Sequence, residues 1–305
     1  MLAFLQVTLV GLVTGSLYGL FALGIVLVYR TTGVLNFAYG AIGAVCACFM
    51  YILLTGPHLN FWLACILALL FALVLGIVLE RGFARPVLEA PIFTKAIATL
   101  ALALVLQTVA QQVWPQLTSP VHFPTPFEGH ALDIGGIYLS LIDLTVLIVT
   151  IVLTVSLNLF LSRTKLGIAM RATADGLSAS RLMGVPVGLI FLFTWSLSAL
   201  IAAIAGILLA SEQGIIDVQF MDPVLLLAFV GAVLGGLDSL PGALIGGLLV
   251  GLADNLLALL LAGHSIGALA ISDPGIRETL IFGGFILVLL LRPQGLLGRA
   301  LLRRV

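Results

Sequence analysis

Nine runs of apolar residues, most of them about twenty long, follow one another through this chain of 305 residues and constrain its fold more than any other feature. They lie at roughly Phe4–Val28, Val34–Leu54, Phe61–Leu79, Lys95–Val113, Leu139–Leu161, Val187–Ala210, Val224–Leu237, Gly242–Ala262 and Thr279–Leu291. About twenty apolar residues in a helix cross the hydrocarbon layer of a bilayer. No water is available there to bond the backbone, so such runs must be helices. A transmembrane barrel would instead alternate apolar and polar residues in segments of about ten, a pattern the chain lacks. Composition agrees: 62% of residues are hydrophobic and 9% charged, against about 45–50% and 25% in a soluble domain. The expectation is an all-α, polytopic transmembrane helical bundle of one domain, residues 1–305. It has nine spans, or eight if the glycine-rich seventh run is only a half-helix.

The basic residues give this bundle an orientation. With the N-terminus outside and the spans alternating, the inside loops hold Arg30, then Arg81, Arg85 and Lys95, then Arg163, Lys165, Arg171 and Arg181, and last Arg292, Arg299, Arg303 and Arg304. Twelve of the thirteen basic residues thus fall inside, and only Arg277 lies outside, as the positive-inside rule requires. Glu128, Asp133, Asp143, Glu212, Asp217, Asp222, Asp273 and Glu278 lean to the other face. The C-terminus is therefore expected in the cytoplasm. No basic residue precedes Arg30, so the first run reads as a retained helix rather than a signal peptide. The loop 114–138, with Pro115, Pro120, Pro124 and Pro126, reads as a small outside cap, and its His122 and His130 as solvated. The loop 162–186 is cytoplasmic and holds four bases.

Several functions are excluded. The thirteen basic and thirteen acidic residues cancel, so no bulk charge points to nucleic acid. The only lysines, Lys95 and Lys165, do not follow a glycine, so there is no phosphate-binding G-x-x-x-x-G-K-[ST] loop. No zinc spacing, nucleophile elbow or heme motif appears, and no cofactor is expected. Cys46, Cys48 and Cys65 lie in apolar runs and read as small packing residues.

What remains are breaks and polar residues inside the apolar runs. Thr31 to Gly40 places glycines at both ends of a stretch containing Asn36. Such a stretch suits a loosened helix start at a cavity, or close packing with Asn36 bonding between helices. Gly231, Gly235-Gly236, Pro241-Gly242, Gly246-Gly247 and Gly251 make a second cluster, where a Pro-Gly turn separates two short runs. Asp254 follows within the eighth run; an acid at mid-bilayer costs roughly 2.5–3.5 kcal/mol on insertion scales, so it should face protein or water. The third cluster, Leu166–Val185, is rich in Ala, Leu and Met with few charges. Arg171 and Asp175 stand one turn apart and can pair weakly. As a helix this stretch would expose apolar residues to the cytosol, which suits docking on a partner.

These clusters carry a resemblance. Leu27-Val28-Tyr29 with Asn36-Phe37-Ala38-Tyr39-Gly40, Arg171-Ala172-Thr173-Ala174 with Ala179 to Gly184-Val185, Gly235-Gly236-Leu237-Asp238-Ser239-Leu240-Pro241-Gly242-Ala243, and Arg292-Pro293-Gln294-Gly295-Leu296-Leu297-Gly298 occur in that order. Together they resemble the permease subunits of branched-chain amino-acid ABC importers, in particular the shorter of the two permease types. Tyr39 and Ala41 depart from the family, where His and an acidic residue are common, which weakens a contact of this motif to a charged amine.

The resemblance implies a permease, not an enzyme, in a bacterial or archaeal plasma (inner) membrane. Its implied partners are a second permease subunit (identical or different), two cytosolic ATP-binding subunits, an extracytoplasmic solute-binding protein and membrane lipid. It also implies an ATPase-coupling helix carrying Arg171, Ala172, Ala174, Asp175, Ala179, Leu182 and Gly184. Asn36, Tyr39, Gly40 and Asp254 are the candidates for the translocation pathway. The alternative is an ATP-independent secondary transporter or channel for a small polar solute. Broken glycine-rich helices suit it equally, but such carriers usually need several intramembrane charges, and only Asp254 qualifies.

Overall fold

The computed structural model describes residues 2–87, 90–133, 136, 138–262, 265–266, 269–270 and 274–298. Asp273, Arg299, Arg303 and Arg304, which enter the charge count, lie outside them. Among these residues the helices are α1 (Leu2–Thr32), α2 (Tyr39–Thr55), α3 (Phe61–Leu79), α4 (Ile92–Val113), α5 (Leu141–Arg163), α6 (Lys165–Asp175), α7 (Leu177–Leu182), α8 (Val187–Gln213), α9 (Asp222–Gly235), α10 (Leu240–Leu261) and α11 (Pro274–Leu291). The chain is mostly helical, and α1, α3, α4, α5, α8 and α10 belong to helices long and apolar enough to cross a membrane. The apolar helices α2 and α9 are shorter. Three small antiparallel ladders interrupt the helical pattern: β1 (Val121–His122) with β4 (Ile215–Ile216), β2 (Ala131–Asp133) with β3 (Tyr138–Ser140), and β5 (Ser265–Ile266) with β6 (Leu269–Ala270). Pro241 and Gly242 do not form the turn between α9 and α10. Pro241 sits in the first turn of α10 and Ser239 caps it, its Oγ accepting from the Gly242 amide at 3.1 Å. Proline fits there because an N–H at its own position in the first turn would have no helical acceptor.

The described residues form two compact units, and α1, α5 and α9 run from one into the other. The first takes in Met1–Val26, Gly129–Thr150 and Leu226–Val305. Its centre is a set of glycine seams at four-residue spacing. Gly247 and Gly251 of α10 face Gly19 and Gly15 of α1, while Gly242 and Gly246 face Gly235 and Gly231 of α9. A Cβ at Gly247 would overlap the Gly19 backbone, and one at Gly246 the Gly231 carbonyl. Lipid tails are as apolar as leucine, so helices associate here through close van der Waals approach, which only small residues permit. Ala22, Val26, Ala232 and Ala243 continue the seam. The Arg292–Gly298 motif turns back on the same helices: the amides of Leu296 and Leu297 donate to the carbonyls of Leu234 and Gly235 at 2.8 and 3.1 Å. It thereby satisfies acceptors that the end of α9 leaves open. At the other end, the Gln6 side chain bonds both backbone groups of Tyr138 in β3.

The second unit takes in Leu27–Glu128 and Ile151–Leu225. In α3, Ala64, Ala68, Ala72 and Gly76 are buried while Trp62, Ile66, Leu70, Val74 and Val78 are exposed. Both sets recur every four residues, so small side chains make one ridge and large ones the opposite face. The small ridge lets α3 approach α8 closely, and a Cβ at Gly76 would lie 2.6 Å from the Ser196 Cα. Likewise a Cβ at Gly43 of α2 would lie 2.6 Å from the Ala202 carbonyl oxygen of α8. Cys46 is buried with Ala72 and Ala203 where these helices meet. The segment after α4 is ordered by β1–β4 and by the amide of Val218, which donates to the carbonyl of Leu117 at 3.1 Å.

Candidate functional site

The stretch expected as one docking helix is two helices. Thr164 caps α6, its Oγ1 accepting from the Gly167 amide at 3.0 Å. Gly167, Met170 and Thr173 bury one face of α6, and a Cβ at Gly167 would overlap the Phe160 carbonyl of α5. Gly176 is extended (φ −173°, ψ 95°) and ends α6; glycine is a poor helix former because its backbone loses most freedom on ordering. After it α7 closes in a Schellman turn, with the amides of Gly184 (φ +78°) and Val185 donating to the carbonyls of Arg181 and Ser180. That turn needs a left-handed residue, which glycine supplies. Leu182 and Met183 stand at its corner 88% and 84% exposed. Ala172, Asp175, Ala179 and Gly184 are also exposed, and Arg171 and Ala174 are half-buried. The expected Arg171–Asp175 pair is not among the ion pairs of the described residues. Arg171 Nη2 lies 3.5 Å from the Ser162 carbonyl instead.

The break expected at Asn36 is present between α1 and α2. Gly33 adopts φ +67° and its amide closes α1 on the Tyr29 carbonyl at 2.7 Å. Asn36 is buried, its Oδ1 accepting from the Ala38 amide at 3.1 Å, and its Nδ2 has no hydrogen-bond partner among the described residues. Thr99 of α4 holds the break open, its Oγ1 donating to the Leu35 carbonyl at 2.9 Å and lying 3.3 Å from the Phe37 amide. Tyr39 and Gly40 are buried in the first turn of α2, and a Cβ at Gly40 would meet the Leu225 side chain at 3.3 Å.

Asp254 lies in the other unit. Arg277 Nη1 of α11 is 3.2 Å from its Oδ1, and the Tyr18 hydroxyl of α1 is 3.4 Å from Oδ2. The acid is thus paired inside protein, and three helices converge on it. The four pathway candidates therefore do not form one cluster within a unit.

Three further polar contacts went unread in the sequence. Gln107 of α4 donates Nε2 to both carboxylate oxygens of Asp222, at 2.8 and 3.0 Å. Thr99 supports the Asn36 break, and Glu80 pairs with Arg85 at 3.1 Å. Thr99 and Gln107 each stand inside a long apolar helix, and that was the available signal. Among the described residues no group of three or more His, Cys, Asp or Glu side chains gathers as metal ligands would.

Comparison with known proteins places the chain in a family. Residues 7–291 match the family described as branched-chain amino acid transport system / permease component. The chain belongs to this family. It is similar to the high-affinity branched-chain amino acid transport system permease protein BraD of Pseudomonas aeruginosa, with 30% identity over 99% of this chain and 98% of that protein. It is also similar to the permease protein LivH of Escherichia coli, with 28% identity over 100% and 98%. A probable LivH of Methanocaldococcus jannaschii shares 31% identity over 82% and 80%. As a member of this permease family the chain is a multi-pass inner-membrane transport component and not an enzyme. It works in a membrane complex with ATP-binding and substrate-binding partners.

Proposed function

We propose that this chain forms part of the path by which an ATP-driven importer carries branched-chain or closely related amino acids across a bacterial or archaeal plasma membrane. It acts as one permease domain beside a second permease subunit, with two cytosolic ATP-binding subunits and an extracytoplasmic binding protein. Nine crossings with a cytoplasmic C-terminus fit the charge distribution. The single base that this arrangement leaves outside, Arg277, is neutralised by Asp254. The seventh crossing is α9, whose 14 residues span roughly 21 Å at 1.5 Å each, less than the hydrocarbon layer.

The observation that carries the energy-coupling assignment is the exposed pair Leu182–Met183, held at a fixed Schellman corner on the α6–α7 segment. Burying each such side chain in a partner's groove is worth about 1.5–3 kcal/mol. Replacing Leu182 and Met183 together by aspartate should therefore release the ATP-binding subunit during co-purification, with the chain still inserted in the membrane. Full recovery of the ATPase with that variant would rule the segment out as its dock.

Asn36 is the pathway residue best supported, because its buried amide donor has no partner among the described residues and is free to meet a solute. A hydrogen bond to a charged solute group contributes about 1.5–3 kcal/mol. Asn36→Ser keeps an oxygen for the Ala38 turn and removes Nδ2. At matched protein level it should lower uptake at least tenfold, roughly what that energy implies, and an unchanged rate would leave Asn36 a turn residue only. Asp254 is better read as an anchor within the bundle, given its pairing with Arg277 and Tyr18.

A further inference from the structure

The small-residue ridge of α3 ends in a charge. Continuing the four-residue spacing of Ala64, Ala68, Ala72 and Gly76 brings the next place on the α8-facing ridge to Glu80, which is 0% exposed. At that point the helix widens into a π turn, Glu80–Ala84, with the Arg85 amide closing on the Glu80 carbonyl. Turns of this kind are rare and gather at functional sites. The extra residue lets Arg85 reach back. Its Nε lies 3.1 Å from Glu80 Oε1, and its Nη2 lies 3.4 Å from the Gly188 carbonyl at the start of α8. The other carboxylate oxygen, Glu80 Oε2, is buried with no hydrogen-bond partner among the described residues. A buried carboxylate half satisfied in this way is costly, and such a group in a folded protein calls for a reason beyond packing.

Gly188 stands two residues after Pro186, where the exposed α6–α7 segment joins α8. Arg85 is thus a strut between that junction and the end of α3. We infer that Glu80 and Arg85 are positioning residues that pass movement of the α6–α7 segment to α3, so that ATP-driven displacement of the dock moves a membrane helix. This rests on the proposal that the segment receives the ATPase. Pulling on Gly188 draws the guanidinium, and the guanidinium draws the carboxylate fixed on α3. Without the strut the dock can move while α3 stays behind.

The test uses the complete transporter, permease chains with ATP-binding subunits and binding protein, in proteoliposomes. ATP hydrolysis and solute uptake are measured on the same preparation, and recovery of the ATPase is measured beside them. Arg85→Ala and Glu80→Gln should each raise the number of ATP molecules hydrolysed per solute carried about tenfold, within the range of ordinary coupling energies. Arg85→Lys, which can still meet Glu80, should stay within about threefold of wild type. If a single variant does not fold, Glu80→Leu with Arg85→Leu removes both the buried carboxylate and its half-exposed partner, so neither charge is left unpaired. That double variant should be uncoupled in the same way. A wild-type ratio in it, or equal losses of hydrolysis and uptake in the single variants, would overturn the strut. Loss of ATPase recovery in the Leu182 and Met183 variant, together with a wild-type ratio here, would leave the dock standing and reject only the strut.

Discussion

Introducing one methyl group at Gly247 should break the first unit apart. The new Cβ would overlap the amide nitrogen and Cα of Gly19 and crowd the carbonyl carbon of Tyr18, all of them backbone atoms. No rotamer change relieves a contact between two main chains, and Gly231 of α9 presses on Gly247 from another side, where a Cβ at position 231 would lie 2.8 Å from the Gly247 Cα. Overpacking typically costs about 1–3 kcal/mol, and more where nothing can yield; Gly247→Ala belongs at or above the top of that range. The purified chain should lose thermal stability in detergent, and the complex should lose uptake. Gly283→Ala is the control, since a Cβ there meets nothing within 4 Å. In a helix that change should be neutral or stabilise by about 0.5–1 kcal/mol. Equal melting midpoints for the two variants would refute the seam.

The second large effect belongs to the Asp254–Arg277 pair. Among the described residues, Arg277→Ala leaves the carboxylate with only the Tyr18 hydroxyl at 3.4 Å. Removing one partner of a buried ion pair costs about 3–5 kcal/mol, because the remaining charge stays desolvated. The exposures of 22% and 16% for the two side chains place this pair toward the lower end. Replacing both residues by leucine should recover most of the loss, since an apolar pair of similar volume needs no hydration. The reading fails if Arg277→Ala melts at the wild-type temperature, or if the double variant is the less stable of the two.

The broad architecture could be read from the chain because a bilayer leaves few solutions. Apolar runs of helix-spanning length, with backbone groups that must bond within each run, specify helices wherever they occur. The break at Gly33–Ala38 was also legible, because glycine punctuates helices by local geometry alone; the break between α9 and α10 was expected at Pro241-Gly242, which lie instead in the first turn of α10. Family membership followed from four short motifs. Two of these now have a structural use: the Arg292–Gly298 segment caps α9, and Gly184 forms the left-handed corner that presents Leu182 and Met183.

Hydrophobicity could not say which face of each helix meets another helix, because every face of α3 is apolar. Side-chain size carried that information, in Ala64, Ala68, Ala72 and Gly76 and in the Gly11, Gly15, Gly19 series of α1. The one-helix expectation for Leu166–Val185 missed the stop at Gly176, where an isolated glycine in a periodic pattern gives only a weak signal. Nor did the sequence show that Arg277, the exception to the charge rule, pairs with Asp254, 23 residues away.

By itself, then, the sequence determined the solvent, the helical class, the family and the break at Gly33–Ala38, since each follows from local composition or a local motif. The tertiary structure decided which small residues touch, which charges pair and which polar groups are left without a partner. Those depend on contacts between residues far apart in the chain. In a membrane, where burial from water does not distinguish one helix face from another, only packing geometry settles them.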